Sequence, residues 1–325
     1  MKVLLVKLSS LGDVVHAMPV VKDILTARPD AQIDWVIEKS FAPLLSRVAG
    51  VHRVIPCEIR RWRKSPFSAV TRRDWRAFKA DLQRDSYDAV IDLQGLTKSA
   101  LVAWLARLSP GGKRYALANQ TDGSGYEAPT RWVANVAIRV EPHIHAVQRS
   151  RELAARALGY SFAAQPDFGL KLHEVPQAAN TVALVHGTSR ADKEWPLDHW
   201  IEAGRRLQAS GFSVVLAHGN AREQETSRQI AAGLVDAVIW PVLALDDLTD
   251  QLAQCMGVIG VDSGVSHIAV ALDLAHVQIY NFDTAWRTGP LNTGIGQPRQ
   301  LSVFASPVPT VDAVWQAWLT CSKGH

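Results

Sequence analysis

Apolar residues enter this chain in short β-branched runs, each followed by a stretch in which they recur at every third or fourth position. The runs Val3–Leu8, Ile33–Glu38, Arg53–Cys57 and Ala89–Leu93 predict strands, with a weaker one at Arg114–Leu117. Val14, Met18, Val21 and Leu25 fall at the spacing that makes one apolar helical face. The stretch Ala146–Leu158 is also helical and ends at Gly159, a suitable C-cap. Strand, helix, strand at this rhythm predicts βαβ units and a parallel sheet.

The rhythm stops between Tyr160 and Asn180, where Pro166, Pro176 and polar fillers predict an interdomain linker, with Phe168–Leu172 as a short strand inside it. It restarts with strands at Val182–His186, Ser213–His218, Ala237–Trp240, Val258–Val261 and Val277–Phe282. Helices are expected between them, from near Pro196, Ala221, Leu245 and Gly264. Val311, Val314, Trp315, Trp318 and Leu319 form a last helical stripe that must pack on something. The expected organisation is two doubly wound α/β domains, residues 1–165 and 166–308, with a C-terminal helix, 309–325, returning toward the first. Ligands of such sheets bind beyond the carboxyl ends of the strands, so a cleft between two such edges is expected to hold them. Binding proteins and epimerases share this architecture, so it does not name a function.

Composition narrows the class. A length of 325 residues suits two domains, and 47% hydrophobic with 20% charged residues suits a well-filled core. The three cysteines, Cys57, Cys255 and Cys321, are far apart and show no metal-ligand or CxxC spacing, which predicts a reducing compartment. The apolar start is too short for a signal-peptide core, and no later run is long enough for a membrane span, so a cytoplasmic protein is expected. Between Arg53 and Arg84 ten Lys/Arg stand against three Asp/Glu, an excess of seven where the whole chain has four. The densest part, Arg60-Arg61-Trp62-Arg63-Lys64, reads as a solvated loop or as a site for nucleic acid, an anionic membrane or an acidic substrate. Trp62, Phe67 and Trp75 are the candidates interleaved with these cations, too few aromatics for a nucleic-acid surface.

Three turns could carry chemistry. Lys7-Leu8-Ser9-Ser10-Leu11-Gly12-Asp13 joins the first strand to a helix and has a single glycine, so it is no dinucleotide fingerprint. Gly12 permits close approach of a ligand; Asp13 is either a helix N-cap or a carboxylate base. Gly187-Thr188-Ser189, with Lys193 following, offers hydroxyls and a point charge to phosphate oxygens, or is an ordinary polar loop. Asp262-Ser263-Gly264-Val265-Ser266-His267 ends a buried strand and opens a helix, an anion site fit for a diphosphate. Glu223 could accept from ribose hydroxyls or be an exposed first-turn glutamate. No Asp-x-Asp occurs, so no obligatory metal or other cofactor is expected; the helix dipole and Lys193 would neutralise a leaving group.

With these residues in place the chain resembles glycosyltransferase family 9, the heptosyltransferases of lipopolysaccharide inner-core synthesis. The matching segments are KVLLVKLSSLGDVVHAMP, IDWVIE, RVIPCEIRRWRK, YDAVIDLQGLTKSA, HAVQRSRELAARALGY, HGTSRADKEWP and VDSGVSHIAVALD; RRWRK with SSLGD is similar to the branch that adds the first heptose. The resemblance implies a GT-B fold, with the acceptor on the N-terminal domain and ADP-heptose on the C-terminal one. It implies inverting transfer of L-glycero-D-manno-heptose from ADP-heptose to the first Kdo of Kdo2-lipid A, at the cytoplasmic face of the inner membrane. Asp13 then becomes the general base. Thr188, Ser189 and Lys193 become phosphate contacts, Glu223 the ribose contact, Leu243 an adenine neighbour, and Asp262, Ser263, Gly264 and His267 the diphosphate-and-sugar loop. Ser10, Gly12, Arg60, Arg61, Arg63 and Lys64 fall to the acceptor. The family's acceptor-facing arginine after Asn119-Gln120-Thr121 is replaced by Asp122-Gly123-Ser124-Gly125-Tyr126-Glu127, and Arg131 is the candidate substitute. The alternatives are a family member using another core acceptor, a non-catalytic nucleotide-sugar protein, and a nucleic-acid binder.

Overall fold

The computed structural model describes residues 1–172, 180–291 and 298–324, in two units, Met1–Lys171 and Leu172–His325. In the first unit the strands are β1 (Lys2–Val6), β2 (Gln32–Glu38), β3 (Val51–Cys57), β4 (Ser86–Asp92), β5 (Arg107–Leu117) and β6 (Val136–Ile138). They pair in parallel in the order β3-β2-β1-β4-β5-β6. The second unit has β7 (Thr181–Val185), β8 (Ser213–Leu216), β9 (Val238–Ile239), β10 (Gly257–Val261), β11 (Ala275–Tyr280) and β12 (Gln300–Phe304), in the order β12-β11-β10-β7-β8-β9. Numbered within its own unit, the second sheet repeats the order of the first. Both wind outward from a central pair, β1/β4 and β7/β10. The chain reverses its winding direction between those strands, and that opens a crevice beyond their carboxyl ends.

The central strands are buried on both faces, as parallel strands covered by helices must be: Val3 to Val6 and Val258 to Val261 are buried throughout. After the buried Gln300 the edge strand β12 alternates half-buried and exposed positions and, like the three-residue β6, carries no continuous apolar run. Neither was expected from the sequence. Of the expected linker, residues 160–171 pack on the first unit. Leu170 bridges Val48, Gly169 O accepts from Ala49 N–H at 2.7 Å, and the buried Arg151 donates to Ala163 O at 2.8 Å. The expected strand at Phe168–Leu172 is therefore a single bridge, and residues 173–179 lie outside the described residues. Arg151 is held by a two-pronged ion pair to Asp23, at 2.7 and 2.8 Å.

The helix Val311–Cys321, expected to return to the first domain, finds its apolar partners in its own unit. Trp318 is fully buried, edge-on to Phe212, and rests where a Cβ on Gly257 would stand 2.7 Å from its ring. In the same unit two buried histidines are held neutral, because burial lowers His186 and His276 each to about 4. His276 Nδ1–H donates to Val258 O at 2.9 Å, and His186 Nε2 meets Ser227 Oγ at 2.7 Å. In the unfolded chain both would protonate near pH 6.5, so between there and about pH 4 the unfolded state binds more protons. Stability is expected to be full above about pH 6.5 and to fall through that window by up to about 3 kcal/mol per histidine. Urea midpoints at pH 7, 5.5 and 4.5 measure this, and a flat profile would show the imidazoles are not held neutral.

Candidate functional site

At the β1/β4 crevice the turn after β1 folds so that Ser10, not Asp13, caps the helix Leu11–Ala17. Asp13 occupies the third helical position and reaches back, its Oδ2 accepting from Ser10 N–H (3.0 Å) and Ser10 Oγ–H (2.8 Å). Its Oδ1 lies 3.7 Å from Lys7 Nζ and 3.9 Å from Arg149 Nη2. Burial pushes the carboxyl upward, but Lys7, the two Ser10 bonds and Arg149 outweigh it and hold Asp13 at about 2. The side chain remains 36% exposed, so a substrate can reach it. Asp13 is therefore not the N-cap but the third-position carboxylate that accepts from it.

The cations that set this state were not singled out in the sequence. Lys7 directly follows the buried strand β1; burial lowers its ammonium to about 8, and it donates to Leu93 O at 3.1 Å. Arg149 sits on the apolar face of the helix Ala146–Leu158 and donates to Thr121 Oγ1 at 3.1 Å. A charge interrupting an apolar helical stripe was the signal available for it. The end of β4 locks the same turn: Gln94 Oε1 accepts from the N–H groups of Leu8 and Ser9, at 2.8 and 3.0 Å. Lys98 donates to Ser9 Oγ at 2.6 Å. Asp92 accepts from Gln94 N–H and Ser99 Oγ, and burial raises it to about 6. Arg131, the expected substitute, is exposed on the helix Pro129–Val133, and it is Arg149 that stands beside Asp13.

The basic stretch is a turn of helix, Ile59–Trp62, whose two apolar residues face inward. Trp62 packs edge-on against Trp75 at 5.5 Å and beside Phe78, so the cations point out. They divide. Arg60 and Arg63 line a cavity of about 700 Å³ with Ile59, Leu96, Thr97, Lys98, Leu101 and Glu127. Arg61 instead forks onto Glu58, 2.7 Å, and Asp74, 2.6 Å, and neither it nor the exposed Lys64 is on the cavity wall. The expected four-cation cluster is thus reduced to two, joined by Lys98.

At the β7/β10 crevice the polar turns meet. Lys193 forms an ion pair with Asp262 Oδ2, while His267 Nε2 stands 3.3 Å from Oδ1 and its Nδ1 lies 3.4 Å from Gln278 Nε2. Burial opposes ionisation of Asp262, but His267 and Lys193 hold it well below the usual carboxylate range. Ser263 caps the helix Gly264–Ala271. Asn281 Nδ2–H donates to the carbonyls of Asp192 and Glu194, at 3.1 and 2.9 Å, and so positions the lysine loop. Thr188 and Glu223 line a second pocket, of about 80 Å³, with His186, Gly187, Asn220 and Arg222 among its walls. Glu223 is at the third position of a helix capped by Asn220, and accepts from Gly219 N–H at 2.7 Å. A Cβ on Gly187 would stand 2.8 Å from the Glu223 carboxyl carbon, so any other residue there would displace that carboxylate. Ser189 is exposed and Leu243 half-buried in the segment before the helix Leu245–Gln254; neither is on that pocket's wall. Among the described residues no group of three or more His, Cys, Asp or Glu is placed to hold a metal ion.

Two sheets wound alike, each with polar turns at its central crevice, make the GT-B fold, and the comparisons give the class, a glycosyltransferase. The chain belongs to glycosyltransferase family 9 (heptosyltransferase), whose sequence profile matches residues 75–303. It is 38% identical over 304 residues to lipopolysaccharide heptosyltransferase 1 of Escherichia coli K12, covering 91% of this chain and 90% of that one. It is also 38% identical to the Pseudomonas aeruginosa enzyme of the same name, over 90% of this chain and 80% of that one. The structure of E. coli heptosyltransferase WaaC with ADP superposes with a TM-score of 0.86 at 34% identity, covering 97% of this chain and 98% of that one. WaaC with ADP-2-deoxy-2-fluoro heptose gives 0.82 at 35% identity over the same shares.

Proposed function

We propose that this chain transfers heptose from ADP-heptose to the first Kdo of Kdo2-lipid A, with inversion, in the assembly of the lipopolysaccharide inner core. The carrying observation is Asp13: an ionised, reachable carboxylate at the β1/β4 crevice, with Oδ2 fixed by Ser10 and Oδ1 turned toward Lys7 and Arg149. Oδ1 accepts the proton of a Kdo hydroxyl as that oxygen attacks the anomeric carbon of heptose. The bond from that carbon to the diphosphate breaks, and ADP leaves with the electron pair. One carboxylate acting once makes this a single displacement, which inverts the configuration. With so low a pKa Asp13 is a weak base, and it works because the hydroxyl becomes acidic only as the new bond forms.

The second unit supports donor binding. Lys193 and the N–H groups opening the helix Gly264–Ala271 receive the diphosphate, with Thr188 beside them and Glu223 at the ribose. Their charge stands in for a divalent ion, so transfer is expected to continue undiminished in excess EDTA. A metal-reversible loss would show that protein groups do not suffice.

The first unit's cavity receives the acceptor's carboxylates and phosphates through Arg60, Arg63 and Lys98. Arg60→Ala and Arg63→Ala are each expected to raise the acceptor KM roughly ten- to a hundredfold, the loss of a charge-assisted bond. Arg61→Ala should change it little, because Glu58 and Asp74 already hold that guanidinium. Acceptor KM and ADP Kd at fixed salt test the division; equal losses at all three positions, or movement of the ADP term, would contradict it. Kdo2-lipid A is a membrane lipid, so the reaction belongs at the cytoplasmic face of the inner membrane. Among the described residues no helix is long and apolar enough to cross it.

A further inference from the structure

The cavity of the first unit is walled by three cations, Arg60, Arg63 and Lys98, and by one carboxylate, Glu127. The cations suit an anionic ligand, and the carboxylate opposes one. Glu127 comes from the segment between β5 and the helix Pro129–Val133, and glycines on both sides of the contact let that segment lie against the cavity wall. Gly95 adopts a φ of +81°, in the left-handed region, and a Cβ on Gly125 would stand 3.2 Å from Leu96 Cδ2. The segment is tied down at both ends. Asp122 N–H donates to Pro142 O and Glu127 N–H to Gly95 O, each at 2.9 Å. Thr121, at its start, accepts from Arg149, the arginine beside Asp13. One segment thus reaches from a partner of Asp13 to the wall of the cavity.

The Glu127 carboxylate is fixed and charged. It accepts from Thr97 N–H at 2.6 Å, one of the N–H groups that open the helix Thr97–Leu105 and lack a partner within it. Bonds from the Thr97 hydroxyl and N–H, with Lys98 and Arg63 adding to them, hold the group below the usual carboxylate range. The side chain stays exposed, and two carboxylate oxygens offer more acceptor positions than these bonds use. Such a group repels a phosphate or carboxylate placed against it and accepts from hydroxyls. A sugar acid carries both kinds of partner on one ring, an anion for the arginines and hydroxyls for the carboxylate. We propose that Glu127 is a specificity-determining residue for the acceptor: it accepts from neighbouring hydroxyls of the sugar acid that the cations hold, and it disfavours an acceptor with phosphate in their place. Specificity of this kind comes as much from the repelled competitor as from the bonds to the right ligand. The assignment rests on the acceptor reading above.

The test compares two soluble acceptors: a deacylated Kdo-lipid A with its Kdo hydroxyls free, and the same molecule with one phosphate on the hydroxyl next to the one glycosylated. The parent should prefer the first by about tenfold or more in kcat/KM, the scale of one charge-assisted bond. Glu127→Gln keeps an oxygen that can accept from Thr97 N–H and removes the charge. It is expected to lower kcat/KM for the hydroxylated acceptor and to raise it for the phosphorylated one, so that the preference largely disappears. ADP Kd and the thermal midpoint, read alongside, should stay those of the parent. A residue that only caps the helix would move both acceptors together or move neither. A parent without the preference, a variant that keeps it, or a variant that shifts both acceptors alike would overturn the assignment and leave the acceptor reading standing. A parent that binds ADP yet glycosylates neither acceptor would overturn the acceptor reading, and the assignment with it.

Discussion

Asp13→Asn is expected to slow heptose transfer by about 10²–10⁴-fold, the usual contribution of a positioned general base, and to leave ADP affinity unchanged. The substitution isolates basicity from architecture. An asparagine oxygen can still accept from Ser10 N–H and Ser10 Oγ–H, so the capping arrangement that closes the turn after β1 persists. What disappears is the negative charge between Lys7 and Arg149 and the lone pair able to keep a proton. The proposed nucleotide contacts lie in the second unit and would be untouched. Single-turnover rates at saturating donor and acceptor, with ADP titration alongside, read the two effects separately. A near-native rate would remove Asp13 from the chemistry. The pH profile carries related information. Asp13, held at about 2, stays ionised throughout the working range, and what its charge contributes to stability is lost only as pH falls from about 4 toward 2. His186 and His276 weaken the fold at higher pH than that, so the acid limit of activity should follow unfolding, not titration of the base.

Lys193→Ala carries the second large effect, and it acts on the donor. Its ammonium pairs with Asp262, which is 6% exposed and otherwise faces His267. A bound diphosphate would share that cation. Removing it deletes a charge-assisted contact to phosphate, expected to raise the donor Kd roughly ten- to a hundredfold. It also strips a buried carboxylate of one partner, so the variant should be less stable by about 1–3 kcal/mol. Unlike Asp13→Asn, this variant is expected to lose donor affinity as well as turnover, because in the proposed reaction the lysine meets both the bound donor and the departing ADP. Calorimetric ADP affinity with urea midpoints decides it. Unchanged affinity with lowered stability would leave Lys193 a structural partner of Asp262 and nothing more.

These two residues were legible in the sequence for one reason. Each lies in a turn leaving a continuous apolar strand, and such turns end up at the crevice where a parallel sheet reverses its winding. The same logic placed Asp262 and Glu223 beyond the ends of their strands. It could not find Arg149 or Lys98, which reach the Asp13 turn from helices far along the chain and become its neighbours only through packing. Nor could composition separate Arg61 from Arg60 and Arg63. Four cations in five residues look alike until Trp62 is buried and Asp74, a dozen residues on, arrives to claim one of them. The strands missed, β6 and β12, are at sheet edges, where a strand needs no unbroken apolar run. The C-terminal helix announced its apolar stripe but not its destination, which depends on the space above Gly257.

The product of the reaction is its most direct readout. Purified chain, ADP-heptose and Kdo2-lipid A should yield a lipid heavier by one heptose, with ADP released in equal amount. The new glycosidic bond should have the anomeric configuration opposite to that of the donor. Mass spectrometry of the lipid with NMR of the released core sugar reads both. ADP release without a heavier lipid, transfer only to some other acceptor, or a retained configuration would contradict the proposed reaction.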